Sequence, residues 1–262
     1  MLDIAVFDGS SRATDYVASL IMKCVTHRPQ TVLGIATGST PSGVYRALWP
    51  HRHELRDITA YALDEYVGLP SGHPQSFASV VDREVTTPLE LSPGRVHVPN
   101  GSGGDPVAEA ARYEREILSS GGVDLQLLGV GTNGHIAFNE PGSAHTSRTR
   151  EVTLAEQTRL DNSRFFETLD DVPRQAITQG IGTILEARQL IVMAFGNAKA
   201  AAIASAIEEP MSERSPLSAI RRHSNVVVVL DKAAASELHG RNSCSVEFAG
   251  AESRGQASCT AR

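Results

Sequence analysis

Four short segments of this chain carry side chains that could do chemistry together. The densest reads Gly129-Val130-Gly131-Thr132-Asn133-Gly134-His135-Ile136-Ala137-Phe138-Asn139-Glu140-Pro141. Glycines packed this closely let a backbone turn sharply and approach a ligand. A histidine held in such a loop can take and return a proton near neutral pH, and a nearby carboxylate can fix its tautomer. His135, Asn133 and Glu140 are therefore candidate catalytic residues. One His and one Glu make an incomplete metal set, so the metal reading is the weaker one and no metal or other cofactor is expected. In the second segment, Ala60-Tyr61-Ala62-Leu63-Asp64-Glu65-Tyr66, two carboxylates stand where an apolar run ends. Neighbours on an extended strand point to opposite sides, so one of the two can face a ligand. Asp64 is given that place and Glu65 the task of orienting its loop; the plainer alternative is a solvated acidic turn.

The third segment is Thr37-Gly38-Ser39-Thr40-Pro41. It reads as a strand end followed by a helix capped by Thr40, with Pro41 as the first helical residue. Free N–H groups and a positive dipole end suit a phosphate there, with Thr37, Gly38, Ser39 and Thr40 as its contacts. A plain turn with a good cap is the alternative. The spacing matches neither nucleotide fingerprint, which disfavours a nucleotide. In the fourth, Phe195-Gly196-Asn197-Ala198-Lys199, Asn197 can cap a helix whose first turn holds Lys199. A cation there opposes the helix dipole unless an anion is bound. Otherwise it is a surface lysine.

Each segment follows a short apolar run. Strands are expected at 3–7, 31–36, 58–63, 123–129, 189–195 and 225–230, mostly as continuous apolar stretches of the kind covered on both faces of a parallel sheet. Helical patterns fall between them, at 12–25, 41–49, 106–119, 181–187, 197–208 and 232–239. Strand alternating with helix predicts an α/β fold: a single doubly wound, mostly parallel, Rossmann-like sheet with helices on both faces. Such sheets bind ligands outside the carboxyl ends of their strands, where the four segments fall. One domain is expected over residues 1–239, followed by a mobile tail over 240–262 that is rich in Ser, Ala, Gly and Arg.

The chain has 262 residues, a net charge of −6 and a hydrophobic share of 41%, which fits an ordinary globular protein. An acidic surface holds no general attraction for nucleic acid or anionic lipid. The apolar runs are too short to span a membrane, and Asp3, Asp8 and Asp15 interrupt any secretory signal. The three cysteines, Cys24, Cys244 and Cys259, have no metal-ligand spacing. Neither nucleic acid nor membrane is expected as a partner, and the cytoplasm is the expected compartment.

Together the motifs resemble the glucosamine-6-phosphate deaminase family from about Asp3 to Leu238. The matching stretches are the Thr37–Pro41 turn, Leu63-Asp64-Glu65-Tyr66-Val67-Gly68-Leu69-Pro70 and Gly134-His135-Ile136-Ala137-Phe138-Asn139-Glu140-Pro141. Ser147-Arg148-Thr149-Arg150, Asn162-Ser163-Arg164-Phe165-Phe166 and Val172-Pro173 continue the series. The resemblance implies a deaminating aldose–ketose isomerase acting on an amino-sugar phosphate. His135, helped by Glu140 and Asn133, would open the pyranose ring; Asp64 would move the proton from C2 to C1. Thr37 to Thr40, Arg164 and Lys199 would hold the phosphate.

Related 6-phosphogluconolactonases typically have Asp-Glu-Arg in place of Asp64-Glu65-Tyr66 and lack the Phe138-Asn139-Glu140-Pro141 ending. Sugar-phosphate-sensing regulator domains share the architecture with a DNA-binding module attached, for which no N-terminal segment is expected here; the retained Asp64, His135 and Glu140 also favour an enzyme. Two departures stand out. Part of the family has Asp where this chain has Asn133, so the relay would lean more on Glu140. Glu151-Val152 replaces an Ile-Lys pair of the allosteric members, so activation by a second phosphosugar is not expected. Both monomers and hexamers occur in the family, which leaves room for a homo-oligomer.

Overall fold

The structure is a computed structural model that describes residues 2–239. The expected tail at 240–262 lies outside the described residues. A seven-stranded sheet runs in the order β1-β10-β9-β6-β2-β3-β5. Its strands are β1 (Leu2–Phe7), β2 (Val32–Ile35), β3 (Thr59–Ala62), β5 (Val96–His97), β6 (Leu125–Gly129), β9 (Gln189–Ala194) and β10 (Val226–Asp231). Every pairing in it is parallel. The central strands are buried on both faces, β2 along its whole length and β9 from Leu190 to Ala194, and so they read as unbroken apolar runs.

Helices α1 (Ser10–His27), α2 (Ser39–Leu48), α4 (Pro106–Ser119), α6 (Ile181–Leu185) and α7 (Ala200–Glu208) connect these strands. Each turns a mostly apolar stripe inward; in α1 this is Ala13, Thr14, Val17, Ala18, Ile21 and Val25. From β2 the chain builds outward through β3 and β5. It then returns to lay β6 on the other side of β2 and builds through β9 towards β10. The reversal between β2 and β6 is where a doubly wound sheet opens its ligand crevice.

A second, three-stranded antiparallel sheet was not anticipated. It consists of β4 (Asp64–Tyr66), β8 (Gln175–Thr178) and β7 (Arg150–Thr153), in the order β4-β8-β7. Only Leu63 separates β3 from β4, so the chain changes sheets immediately before Asp64. This part has its own small core of Tyr66, Leu69, Phe138, Leu154 and Ala176. The Tyr66 ring centroid lies 4.8 Å from that of Phe77, 5.5 Å from Phe138 and 5.9 Å from Phe166. Such pairs add about 0.5–1.5 kcal/mol each beyond the area they bury. Tyr66 and Phe138, two of the residues that separate this chain from the lactonase pattern, are therefore the centre of the second core.

Three local expectations are corrected. Helix α2 starts at Ser39 with Gly38 as its cap, at φ 103° and ψ 177°, and not at Pro41 behind Thr40. The left-handed φ of Gly38 starts the helix two residues early and leaves the Thr40 hydroxyl without a capping role. Asn197 begins a 3-10 turn over Asn197–Lys199, and Lys199 is itself the cap residue of α7. The helix expected at 232–239 is a run of turns. There, Ser236 and Leu238 bond back to Ala233 and Ala235 three residues earlier, while the Asp231 carboxylate takes the Ala234 N–H at 2.8 Å.

Candidate active site

The four chemical segments leave the carboxyl ends of neighbouring parallel strands. Thr37–Thr40 follow β2, Asp64 follows β3, the glycine-rich loop follows β6 and Lys199 follows β9. The topological reversal thus brings them to one edge of the sheet. β2 and β9 stand two strand spacings apart, roughly 10 Å.

Within the glycine-rich loop the side chains form a continuous relay. Asn133 Oδ1 accepts from the His135 backbone N–H at 3.1 Å and from His135 Nδ1 at 2.7 Å. Its amide nitrogen donates to Glu140 Oε2 at 2.9 Å. The other Glu140 oxygen accepts from the Thr158 hydroxyl, which α5 (Glu156–Asn162) carries. Because Oδ1 already receives a backbone N–H, the orientation of the amide is set and the proton of neutral His135 belongs on Nδ1. Nε2 is left as the basic nitrogen. Burial pushes the pKa of His135 down and Glu140 pulls it back up, which favours the neutral ring.

The loop is shaped around this ring. A Cβ on Gly131 would come within 2.3 Å of the imidazole, so any larger residue there would push the ring from its place. Ala137 adopts φ 50° in the turn that bonds Asn139 N–H to Ile136 O at 3.0 Å. Strain of this kind, on the order of 1–3 kcal/mol, is typical of loops that hold functional groups.

Asp64 is 7% exposed and Glu65 3% exposed. As alternation along the strand requires, they serve different ends. The Glu65 carboxylate accepts the N–H groups of Tyr66, Phe77 and Ala78, each at 2.8 Å, and so anchors the first turn of α3 (Phe77–Val81). Asp64 has no such bonds to offset its burial. Burial first, and the charge of Glu65 second, push its pKa up to about 8. An acid of this kind is poised for proton transfer near neutral pH. Neither carboxylate is the solvated acidic turn that sequence left open.

In the phosphate corner, Lys199 is half-buried. Burial lowers its pKa, Asp161 opposes that effect, and Arg164 reinforces it. Lys199 also acts on His135, so Lys199, Arg164, Asp161 and His135 lie within electrostatic reach of one another. The Arg164 guanidinium stacks over the Phe165 ring, 4.7 Å from its centroid, with its charge turned to solvent. Ser39 and Thr40 form the open first turn of α2, where free N–H groups and hydroxyls can meet an anion.

Sequence reasoning missed Thr158, Asp161 and Gln179. Thr158 and Asp161 lie one turn apart on the face of α5 over the relay, and short polar helices of this kind carry no apolar period to betray them. Gln179 lies just beyond β8, in a sheet that was itself unforeseen.

The profile of the family described as glucosamine-6-phosphate isomerases/6-phosphogluconolactonase matches residues 8–229. A protein of Rhodococcus opacus (strain B4) named glucosamine-6-phosphate deaminase is 50% identical over 242 residues, covering 90% of this chain and 93% of the relative. One of the same name from Streptomyces coelicolor is 45% identical over 242 residues, with the same coverage. Among solved structures, one described as a monomeric glucosamine-6-phosphate deaminase superposes with a TM-score of 0.87 at 40% identity, covering 90% of this chain and 99% of that one. The 6-phosphogluconolactonase of Trypanosoma cruzi shares the fold, with a TM-score of 0.72 at 20% identity over 91% of this chain and 97% of its own. With the profile spanning most of the sheet and relatives this similar over nearly their whole length, the chain belongs to the glucosamine-6-phosphate isomerase/6-phosphogluconolactonase family.

Proposed function

We propose that this protein is a glucosamine-6-phosphate deaminase, converting glucosamine 6-phosphate and water to fructose 6-phosphate and ammonia. The observation that carries the reading is the relay Thr158–Glu140–Asn133–His135, which leaves His135 Nε2 basic, on the same sheet edge as the buried acid Asp64.

In this reading Nε2 takes the proton of the sugar O1 hydroxyl and returns it to the ring oxygen O5, so that the C1–O5 bond breaks and the aldehyde forms. Glu140 steadies the transient imidazolium, since Asn133 orients the ring without supplying charge. Ionised Asp64 then removes the C2 proton and delivers it to C1, while the amino group gives up a proton that ends on O1, leaving an imine at C2. Water adds to that carbon, ammonia departs, and the ketose remains. The open first turn of α2, Lys199 and Arg164 hold the phosphate, Arg as a fork and Lys as a point charge. All these residues come from one chain, so the reading needs no partner subunit. A cytoplasmic enzyme fits a phosphorylated substrate, whose charge keeps it from crossing membranes.

Tyr66 and Phe138 support the deaminase reading over the lactonase one. The test is ammonia release from glucosamine 6-phosphate, with galactosamine 6-phosphate and 6-phosphogluconolactone assayed in parallel. Lactone hydrolysis without ammonia release would reverse the assignment.

A further inference from the structure

The two proton-transfer centres of the proposed reaction sit on different pieces of structure. Asp64 opens the antiparallel sheet, and His135 belongs to a loop of the parallel one. What holds them in register is a pair of residues at the end of β8. The Gln179 N–H donates to Leu63 O at 2.8 Å and its side-chain Nε2 to Ala62 O at 2.9 Å. These are the two carbonyls immediately before Asp64, where the chain passes from one sheet to the other. On its other side, the Gln179 carbonyl accepts from Asn139 Nδ2 at 2.8 Å, and the same amide donates to Ile136 O at 3.0 Å. One residue earlier, Thr178 lies opposite Asp64 in the antiparallel pairing, and its hydroxyl accepts the Phe138 N–H at 3.2 Å. Thr178 and Gln179 thus clamp the approach to Asp64 against the turn between His135 and Glu140.

The backbone bonds of this clamp would form with any residue at position 179. The bond to Ala62 O requires a side chain with a donor of glutamine's length; the Tyr113 hydroxyl meets the same carbonyl at 2.8 Å and His97 O at 3.0 Å. Gln179 is 1% exposed and Asn139 fully buried, so water cannot easily substitute.

We propose that Gln179 is a positioning residue: its side-chain amide fixes the direction in which β3 hands Asp64 to the site, and so sets the base against the substrate that His135 has opened. The inference rests on the deaminase reading. Misplacing a reacting group by about 1 Å can cost up to roughly 100-fold in rate, so the effect is large enough to measure.

The experiment uses wild type, Gln179→Leu and Gln179→Glu with glucosamine 6-phosphate carrying deuterium at C2. For Gln179→Leu, kcat falls about 10- to 100-fold while KM stays close to wild type, because the phosphate contacts are elsewhere. The share of deuterium recovered at C1 of the product also falls, since a base held off line exchanges with solvent before returning the proton. Gln179→Glu keeps the shape and can donate to Ala62 O only while protonated, so its kcat drops further below wild type as pH rises. An unchanged kcat and deuterium transfer in Gln179→Leu overturns the proposal. So does a loss of kcat with transfer intact, the mark of a merely structural role. If Gln179→Leu does not fold, Gln179→Glu decides: a pH profile parallel to wild type overturns the role. Wild-type protein that releases no ammonia overturns the deaminase reading, and this proposal with it.

Discussion

Asp64→Asn should abolish turnover and at the same time make the protein more stable, by an amount that grows with pH. In the folded protein the Asp64 carboxyl ionises at about 8, against a usual value of 3.8, because burial and the neighbouring Glu65 disfavour its charge. Between those two values the folded state holds a proton that the unfolded chain has released. Linkage then makes stability fall by about 1.4 kcal/mol per pH unit. The contribution is fully present below the unfolded value and is lost as pH rises through the folded one. Asparagine fills the same space and does not titrate. Urea unfolding of both proteins at about pH 5.5 and about pH 7.5 should therefore show the gap widening in favour of Asn by roughly 2–3 kcal/mol. Ammonia release should fall about 10²–10⁴-fold, the usual cost of losing a general base, while a substrate analogue still binds. Stability curves that stay parallel across this range would show that Asp64 ionises as an ordinary carboxylate, and the argument for a primed base would collapse.

Three other outcomes follow from the site. In His135→Gln, ring opening should suffer more than the later steps, so substrate supplied in its open form should recover rate relative to the closed form; no such recovery means the histidine acts elsewhere. Lys199→Ala should weaken binding of the phosphorylated sugar by roughly 1.5–3 kcal/mol, the worth of one charge-assisted bond, with little change for glucosamine itself. Equal losses for both, measured by calorimetry, would make this lysine structural. Saturation curves should be hyperbolic and indifferent to millimolar N-acetylglucosamine 6-phosphate, because Arg150 is already bonded to Asn139 Oδ1 at 2.9 Å and Glu151 adds negative charge beside it. A sigmoidal curve that this compound straightens would contradict that.

The parallel sheet was legible because burial on both faces writes itself as unbroken apolar runs, such as Leu190 to Ala194 and Val226 to Leu230. The antiparallel sheet was hidden for the opposite reason. β4 is Asp64-Glu65-Tyr66 and β7 is Arg150-Glu151-Val152-Thr153, too short and too charged to show alternation. Their partnership is settled by the aromatic cluster around Tyr66, whose members lie far apart in sequence. The relay was readable for a related reason: His135, Asn133 and Glu140 fall within a few residues of one another, so spacing alone suggested contact. Thr158 and Gln179 reach the same site from distant elements, and only the folded chain reveals them. The turns over 232–239 show the limit of helix propensity, since Lys-Ala-Ala-Ala favours a helix but the Asp231 carboxylate captures both the Ala234 and Gly196 N–H groups.

The pairing of β1 with β10 has a consequence for biosynthesis. Leu2 lies opposite Val226 and Phe7 opposite Asp231, so the strand made before every other strand of this sheet finds its place only beside the one made after them. Closing a loop of that length carries an entropic cost that must be met before the pairing returns anything, and contacts of this range slow folding. β2, β3 and β6, which bear most of the catalytic loops, can assemble while synthesis continues. β1 has no sheet neighbour to join until β10 emerges. During that interval the nascent chain exposes an apolar strand with open backbone groups, the kind of edge that invites wrong partners.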